Sequence, residues 1–181
     1  MEFGEIRSTV VRLALIICGL PACAGLAPAG PALDQLPMRW HDERDHAVTL
    51  AEFGGHRVLL TMAYANCHRI CPVIIDELKR FQDVLDARGE VMDFVIVGYD
   101  PEHEDQTTWR QYRTRNHLPR ANWHFISGTR DDTERLARQL GFDYWMYDAH
   151  VMHGSRVVLF DARGALVAVA DPAKRDWAAM L

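Results

Sequence analysis

Two cysteines, Cys67 and Cys71, have the residue type and the spacing best suited to chemistry in this sequence. They lie four positions apart, and residues at that spacing on a helix share one face, with Cβ atoms about 5 to 6 Å apart. Both sulfurs can therefore reach one metal ion. They can also form a disulfide after a modest backbone adjustment, because bridged Cα atoms usually lie about 4.4 to 6.8 Å apart. A structural disulfide, a redox pair and a metal site all stay open at this point.

The donor atoms indicate which metal such a site would prefer. Two thiolates with one imidazole suit copper, particularly Cu(I), whereas structural zinc sites normally have four protein ligands. A third ligand has to come from elsewhere in the chain, and the candidates are His150 and His153, which precede a predicted C-terminal hairpin. Position along the chain does not choose between these two histidines.

Short apolar runs alternate with helical patterns, which predicts an α/β fold. The predicted strands span residues 38–41, 47–50, 58–64, 92–99, 123–126, 157–160 and 166–169. The predicted helices run from Pro72 to about Gly89, from 105 to 116, from Asp131 to Gly141 and from 174 to 180. The cysteine pair then follows a buried strand, at the strand end where open α/β sheets bind ligands.

Local signals support the ends and faces of two of these helices. Ile74, Leu78, Phe81 and Leu85 recur at helical spacing and predict the buried face of the first helix. Asp131 with Glu134 three positions later predicts a capping box for the third helix. Because Cys71 directly precedes the predicted helix start at Pro72, the positive end of that helix is expected to lower the pKa of the thiol.

The first 24 residues have the pattern of an export signal. Two arginines precede an apolar run at residues 13–20, and small residues follow at positions 22–24, so we expect cleavage near Ala24. An uncleaved anchor and a lipoprotein signal acylated at Cys23 are the alternatives. The protein is therefore expected to be periplasmic, with membrane contact only through this segment or a lipid anchor.

Composition bounds the rest of the chain. Its 181 residues fit one domain, and its net charge of -5 argues against nucleic acid as a partner, because nucleic-acid binders gather basic residues. Residues 25–36 are rich in Ala, Pro, Gly and Leu and are predicted to be a flexible tether. The domain is expected at residues 37–181, with Cys67 and Cys71 as its only cysteines.

Several segments together resemble the Sco/SenC family of copper-binding, thioredoxin-like proteins, which act in cytochrome c oxidase assembly. The matching segments are 53–60, 66–72 (Asn-Cys-His-Arg-Ile-Cys-Pro), 100–105 (Asp-Pro-Glu-His-Glu-Asp) and His153, eleven residues before Gly164. The resemblance covers about residues 37–180. It implies a thioredoxin-like fold, in which helices flank a central mixed sheet and the final hairpin follows the histidine.

The resemblance also implies the site residues. Cys67, Cys71 and His153 would bind one copper ion, and His153 is preferred to His150 because its offset from the following turn matches the family. Asp100 would have a supporting or partner-facing role, although an Asp-Pro pair also forms a helix-leading turn without any functional role.

The sequence departs from the family pattern at His68, where Pro is common. This imidazole would lower the pKa of the neighbouring thiol, act as an extra ligand or point into water, and we favour water.

Two functions follow as hypotheses. In the first, the protein is a copper chaperone that delivers the ion to a copper-accepting protein, in the family's case a cytochrome c oxidase subunit. In the second, it is a thiol-disulfide oxidoreductase in which one of Cys67 and Cys71 attacks and the other resolves. The second function does not require His153, so this residue separates the two hypotheses.

Overall fold

The described part of the chain is built around one mixed β-sheet. The computed structural model describes residues 30–67, 70–148 and 150–174. Within these residues the strands are β1 (Arg39–Asp42), β2 (Ala47–Thr49), β3 (Arg57–Ala63), β4 (Met92–Gly98), β5 (Trp123–Ser127), β6 (Tyr144–Tyr147), β7 (His150–His153), β8 (Val157–Phe160) and β9 (Leu166–Ala170). The helices are α1 (Ile70–Arg88), α2 (Gln106–Arg115) and α3 (Arg130–Leu140). Seven strands form the sheet in the order β2-β1-β5-β4-β3-β8-β9.

The centre of the sheet explains the apolar runs in the sequence. Strand β4 pairs in parallel with β3 and β5, and β8 pairs antiparallel with β3. The residues of β3 and β4 are nearly all buried, as expected for strands covered on both faces. Helix α1 connects β3 to β4, and α2 connects β4 to β5. The predicted α/β class with a central mixed sheet is confirmed.

Helix α1 begins two residues earlier than predicted. It starts at Ile70, so Cys71 lies inside its first turn and Pro72 is its third residue. Proline is tolerated there because the first amide groups of a helix have no intrahelical acceptor. The predicted buried face is confirmed, since Ile74, Leu78, Phe81 and Leu85 all lie in the core.

The predicted span of α2, residues 105–116, matches the structure, whereas the predicted cap of α3 does not. Asp105 caps α2 by accepting a hydrogen bond from the Thr108 amide at 2.8 Å. The predicted start of α3 at Asp131 is wrong, because the hydroxyl of Thr129 accepts from the Asp132 amide at 3.1 Å and starts the helix at Arg130. Gly141 ends α3 as predicted, with a φ of 71° that favours glycine.

Part of the predicted tether, residues 25–36, packs against the core. Leu33 and Leu36, assigned to the tether, are buried, and the Leu33 amide donates to the Gly164 carbonyl at 2.9 Å. Burying an apolar side chain such as that of leucine is favourable by about 1.5 to 3 kcal/mol, which holds this segment against the core. At Leu33 and Leu36 the predicted tether therefore packs against the core.

Strands β6 and β7 form a separate two-stranded ribbon that the sequence did not predict. They are antiparallel, with Tyr144 opposite His153 and Trp145 opposite Met152. The sequence pattern predicts no strand or helix between the helix that ends at Gly141 and the strand at 157–160. The ribbon matters because it ends on a predicted metal ligand.

Some predictions fall on residues that the structure does not describe. These are the signal segment with Cys23, residues 25–29 of the tether, His68 and residues 175–180 of the last predicted helix. Just before that last segment, Pro172–Lys174 form a 3-10 turn. None of the helices in the described ranges is both long and apolar enough to cross a membrane.

Candidate metal centre

The two cysteines lie where β3 gives way to α1. The Cys67 amide donates to the Tyr64 carbonyl at 2.9 Å, which turns the chain at the strand end. Cys71 is buried in the first turn of α1, and its sulfur accepts a hydrogen bond from the Tyr64 amide at 3.5 Å. Cys67 is half-buried. Both residues are thiols and not a disulfide, and they are hydrogen-bonded to each other.

His153, at the end of β7, lies against the buried thiol. Its Nε2 atom is 3.0 Å from the Sγ atom of Cys71, and its Nδ1 atom is 2.8 Å from the carbonyl oxygen of Gly154. Because a carbonyl oxygen only accepts hydrogen bonds, Nδ1 carries the proton. In a neutral imidazole the lone pair then lies on Nε2 and points to the sulfur, as it must in a metal ligand.

Cys67, Cys71 and His153 together have the dimensions of a metal site. Their three ligand atoms lie within 4.8 Å of one another, and no other group of His, Cys, Asp or Glu in the described ranges meets this criterion. With metal–ligand bonds of about 2.0 to 2.3 Å, ligand atoms around a three-coordinate ion lie about 4 Å apart. One ion thus fits between these atoms after small movements, and the two-sulfur, one-nitrogen donor set suits copper.

The other candidate histidine lies at the opposite end of β7. His150 is exposed and stands across from Tyr147. The structure therefore brings His153, and not His150, to the cysteines.

The pKa of Cys71 differs from the expected direction. The hydrogen bond with Cys67 and burial raise it well above the ordinary range of a thiol, while the Tyr64 amide lowers it only in part. The start of α1 does not offset the cost of placing a negative charge in the core beside a second thiol. The buried thiol is therefore protonated at neutral pH until a metal ion displaces its proton.

An aromatic residue holds the ribbon in place. The ring of Tyr99, which follows β4 and is buried, packs against the rings of both Tyr144 and His153 at centroid distances of 4.9 Å. Its amide donates to the Ala63 carbonyl at 3.0 Å. Tyr99 thus fixes the imidazole of His153 relative to the end of β3.

Sequence comparison identifies the family. A profile of the SCO1/SenC family matches residues 31–180, which is most of the chain. The chain belongs to the SCO1/SenC family. The resemblance predicted from the cysteine segment, the Asp-Pro segment and His153 is thereby confirmed. No curated protein sequence matches the chain.

Solved structures of Sco proteins share the fold. Bradyrhizobium japonicum ScoI, solved with copper bound, is 17% identical over 80% of this chain and 96% of its own, with a TM-score of 0.65. Arabidopsis thaliana ScoI, also with copper bound, is 17% identical over 76% of this chain and 90% of its own, with a TM-score of 0.67. BsSco, described as having a disulfide switch and as a member of a family of cytochrome c oxidase assembly proteins, is 19% identical over 80% and 86%, with a TM-score of 0.70. These likenesses confirm the predicted thioredoxin-like fold.

Asp100, the predicted supporting residue, lies in a turn after β4. Its carboxylate is 2.9 Å from Nδ1 of His103, and its carbonyl accepts from the amides of His103 and Glu104 at 3.0 and 2.9 Å. This is the helix-leading turn that the Asp-Pro pair also predicted. A role of Asp100 toward the metal or a partner stays a prediction.

The buried acid of this segment is Glu104, which the sequence analysis missed. Its side chain is fully buried, and its two oxygens accept hydrogen bonds from the amides of Ala65 and Asp100 at 2.5 and 2.8 Å. Burial raises the pKa of this carboxyl to about 8, while the two amides act in the opposite direction. Glu104 therefore joins the turn after β4 to the loop that carries Cys67. Its position in the same Asp-Pro segment was the signal in the sequence.

An open groove of about 820 Å³ lies beside the centre. Tyr64, Asn66, Tyr99 and Tyr144 form its wall on the side of the centre. Its rim carries charges of both signs, including the exposed pair of Arg130 and Glu102 at 2.6 Å. The groove offers space for a second molecule next to the half-buried Cys67.

Proposed function

We propose that this protein is an exported copper chaperone. It binds one copper ion through Cys67, Cys71 and His153 and passes the ion to a copper-accepting protein, the dinuclear copper centre of cytochrome c oxidase. The observation that carries the proposal is the position of the His153 Nε2 lone pair, 3.0 Å from the sulfur of Cys71. Two related proteins of the same fold have been solved with copper bound, which supports copper as the metal.

A copper site with three protein ligands is better suited to transferring the ion than to storing it. A site with three protein ligands leaves a position for an incoming ligand, which a closed four-ligand cage does not. Cys67 is the more exposed thiol of the pair, so an acceptor in the adjoining groove would approach the copper from the Cys67 side. BsSco is a member of the Sco family of cytochrome c oxidase assembly proteins, which supports the choice of acceptor.

The location of the protein belongs to the same proposal. Residues 1–24 would direct export to the periplasm, and the domain would be released there or remain tethered by the uncleaved segment or by acylated Cys23.

Copper titration of the reduced chain tests the proposal. The full-length chain with Cys18 and Cys23 replaced by Ser is titrated anaerobically, and the thiolate-to-copper absorption is followed. We expect this absorption to saturate at one copper ion, and to be lost or weakened more than about tenfold in Cys67→Ser and in His153→Ala. His150→Ala is the matched control, because that imidazole lies at the far end of β7 and should leave the absorption unchanged. Unchanged absorption in His153→Ala would contradict the proposal.

A second candidate function is thiol-disulfide exchange, favoured by the hydrogen bond between the two thiols. Cys67 is the more exposed of the two thiols. As the thiolate it would attack a partner disulfide and form a mixed disulfide. Cys71 would then displace the partner, leaving this chain oxidised to a disulfide and the partner reduced to a dithiol. Full exchange activity in His153→Ala, together with unchanged copper affinity, would favour this function over the chaperone.

A further inference from the structure

The outer face of the β6–β7 ribbon carries side chains that the candidate metal centre does not use. Side chains alternate between the two faces of a strand, so Trp145 and Tyr147 of β6 share a face with His150 and Met152 of β7. All four are exposed, and Trp145, Tyr147 and Met152 have exposed fractions of 56%, 66% and 39%. Soluble proteins rarely expose contiguous apolar side chains of this size without a use for them.

The exposed methionines are confined to this ribbon. Met38, Met62 and Met92 are buried in the core, whereas Met146 and Met152 are the two exposed methionines among the described residues. Methionine side chains are usually buried in folded proteins. A thioether held in solvent is available to bind a soft metal ion.

The register of the ribbon brings three suitable groups together. Met152 lies directly opposite Trp145, a pairing that places Cβ atoms about 4.5 to 5.5 Å apart. His150 is two positions before Met152 on the same face, about 6.5 Å along the strand. At these spacings an imidazole nitrogen and a thioether sulfur are close enough to bind one ion between them, and the indole ring on the same face is close enough to cover that ion through a cation–π contact.

We propose that His150, Met152 and Trp145 form a second metal site, specific for a soft monovalent cation such as Cu(I) or Ag(I). The donors are a neutral imidazole, an uncharged thioether and an aromatic face, so the site holds a single positive charge without a charged ligand. It binds more weakly than two thiolates and an imidazole. Because Met152 and His153 are consecutive residues, this site and the candidate metal centre lie on opposite faces of one strand. The site goes beyond the proposed chaperone function and does not depend on it.

A cysteine-free chain tests the second site by itself. The full-length chain with all four cysteines replaced by Ser is titrated with Ag(I), which is stable to oxidation, and binding is followed by calorimetry and tryptophan fluorescence. We expect one bound Ag(I) and a change in fluorescence that disappears in Trp145→Phe. His150→Ala and Met152→Leu should each weaken binding by more than about tenfold, the lower range for disturbing a metal site.

Met146→Leu is the matched control. It removes the other exposed methionine, which pairs with Val151 on the opposite face of the ribbon, and should leave Ag(I) binding unchanged. No Ag(I) binding by the folded cysteine-free chain, or binding that Met152→Leu does not weaken, would overturn the proposal.

Circular dichroism establishes whether the cysteine-free chain is folded. If it is not, the chain that keeps Cys67 and Cys71 is first loaded with one equivalent of Cu(I) and then titrated with a second. The expected result is a shift of the Met152 methyl NMR signal on the second equivalent only, and an unshifted signal overturns the proposal. Failure of either test leaves the thiolate-to-copper absorption of the first site intact, so the two proposals fail separately.

Discussion

The Nε2 atom of His153 lies 3.0 Å from the sulfur of Cys71, although 82 positions separate the two residues in the chain. The contact joins the first turn of α1 to the end of the β6–β7 ribbon. Since Nδ1 of the same ring donates to Gly154, the contact presents a lone pair to the thiol. The candidate metal centre is therefore assembled by tertiary structure, and its properties should respond to changes in the groups that hold the ribbon and the cysteine loop.

Copper affinity should rise with pH. Cys71 is hydrogen-bonded to Cys67 and buried, and both effects raise the pKa of its thiol. The thiol is therefore protonated at neutral pH, and the metal must displace that proton. Raising the pH removes the competing proton. Between about pH 6 and 8 we expect the apparent affinity to increase by up to about tenfold per pH unit for each proton released. Competition titrations at several pH values measure the slope, and proton release measured in weakly buffered solution gives the stoichiometry.

The ring of Tyr99 should control copper affinity without touching the metal. Tyr99→Ala removes the surface against which Tyr144 and His153 pack, so the imidazole loses its fixed position. We expect copper affinity to fall by about tenfold or more. Tyr99→Phe keeps the ring and should retain most of the affinity. Equal losses in the two variants would show that the hydroxyl, and not the ring, is what matters.

Much of the fold could be predicted because the central strands are covered on both faces. Strands such as β3 and β4 must then be apolar throughout, and they stand out as short apolar runs. The ribbon could not be found this way. Its outer face exposes Trp145 and Tyr147, so polar and apolar residues do not alternate along β6. The sequence between Tyr147 and His150 also lacks the glycine typical of tight hairpins, although Asp148 has a φ of 52°.

The three candidate ligands could be predicted from the sequence, but the buried groups around them could not. The cysteine spacing and the family resemblance predicted Cys67, Cys71 and His153 as ligands, and the structure brings these three residues together. Glu104 escaped notice because glutamates are rarely buried and because both of its partners are backbone amides. Every residue except proline has a backbone amide, so the sequence does not show which amides need a side-chain acceptor. The pKa of Cys71 was misjudged for a related reason, since burial depends on the whole fold.

Replacing Glu104 by Gln should destabilise the domain. The amide oxygen of Gln can accept one of the two hydrogen bonds from Ala65 and Asp100, but its NH₂ group cannot accept the other. A buried amide without a partner costs about 1 to 3 kcal/mol of unfolding free energy. Chemical denaturation at pH 7 measures the loss. The matched control is Glu102→Gln, because solvent screens its exposed ion pair with Arg130 and the substitution should change the free energy of unfolding little.

The same residue should make stability depend on pH. The pKa of Glu104 is about 8 in the folded state, against an ordinary value of 4.5. Between these values the folded chain holds a proton that the unfolded chain has lost, so the contribution of Glu104 is complete below about pH 4.5 and decreases as the pH rises to about 8. The free energy of unfolding of the wild type, minus that of Glu104→Gln, should therefore fall across this range. A difference that rises with pH would contradict the raised pKa.

Gly98, at the end of β4, should tolerate no side chain while Glu104 is present. A Cβ atom at this position would collide with Oε2 of Glu104 and lie 3.0 Å from Cζ2 of Trp109. The carboxyl group cannot move away without losing its bonds to the amides of Ala65 and Asp100. Gly98→Ala should thus lower the free energy of unfolding by about 1 to 3 kcal/mol, the usual cost of overpacking.

A control and a double variant identify the cause of this loss. A Cβ atom at Gly154 meets nothing within 4 Å, so Gly154→Ala should be nearly neutral. If the collision with Glu104 is responsible, Gly98→Ala should cost less in a Glu104→Ala background than in the wild type, because residues in contact are not additive. Denaturation of the four chains under one set of conditions gives the coupling. Strict additivity would mean that the methyl group strains Ser127, Trp109 or the strand itself, and that Glu104 is not the group that keeps residue 98 a glycine.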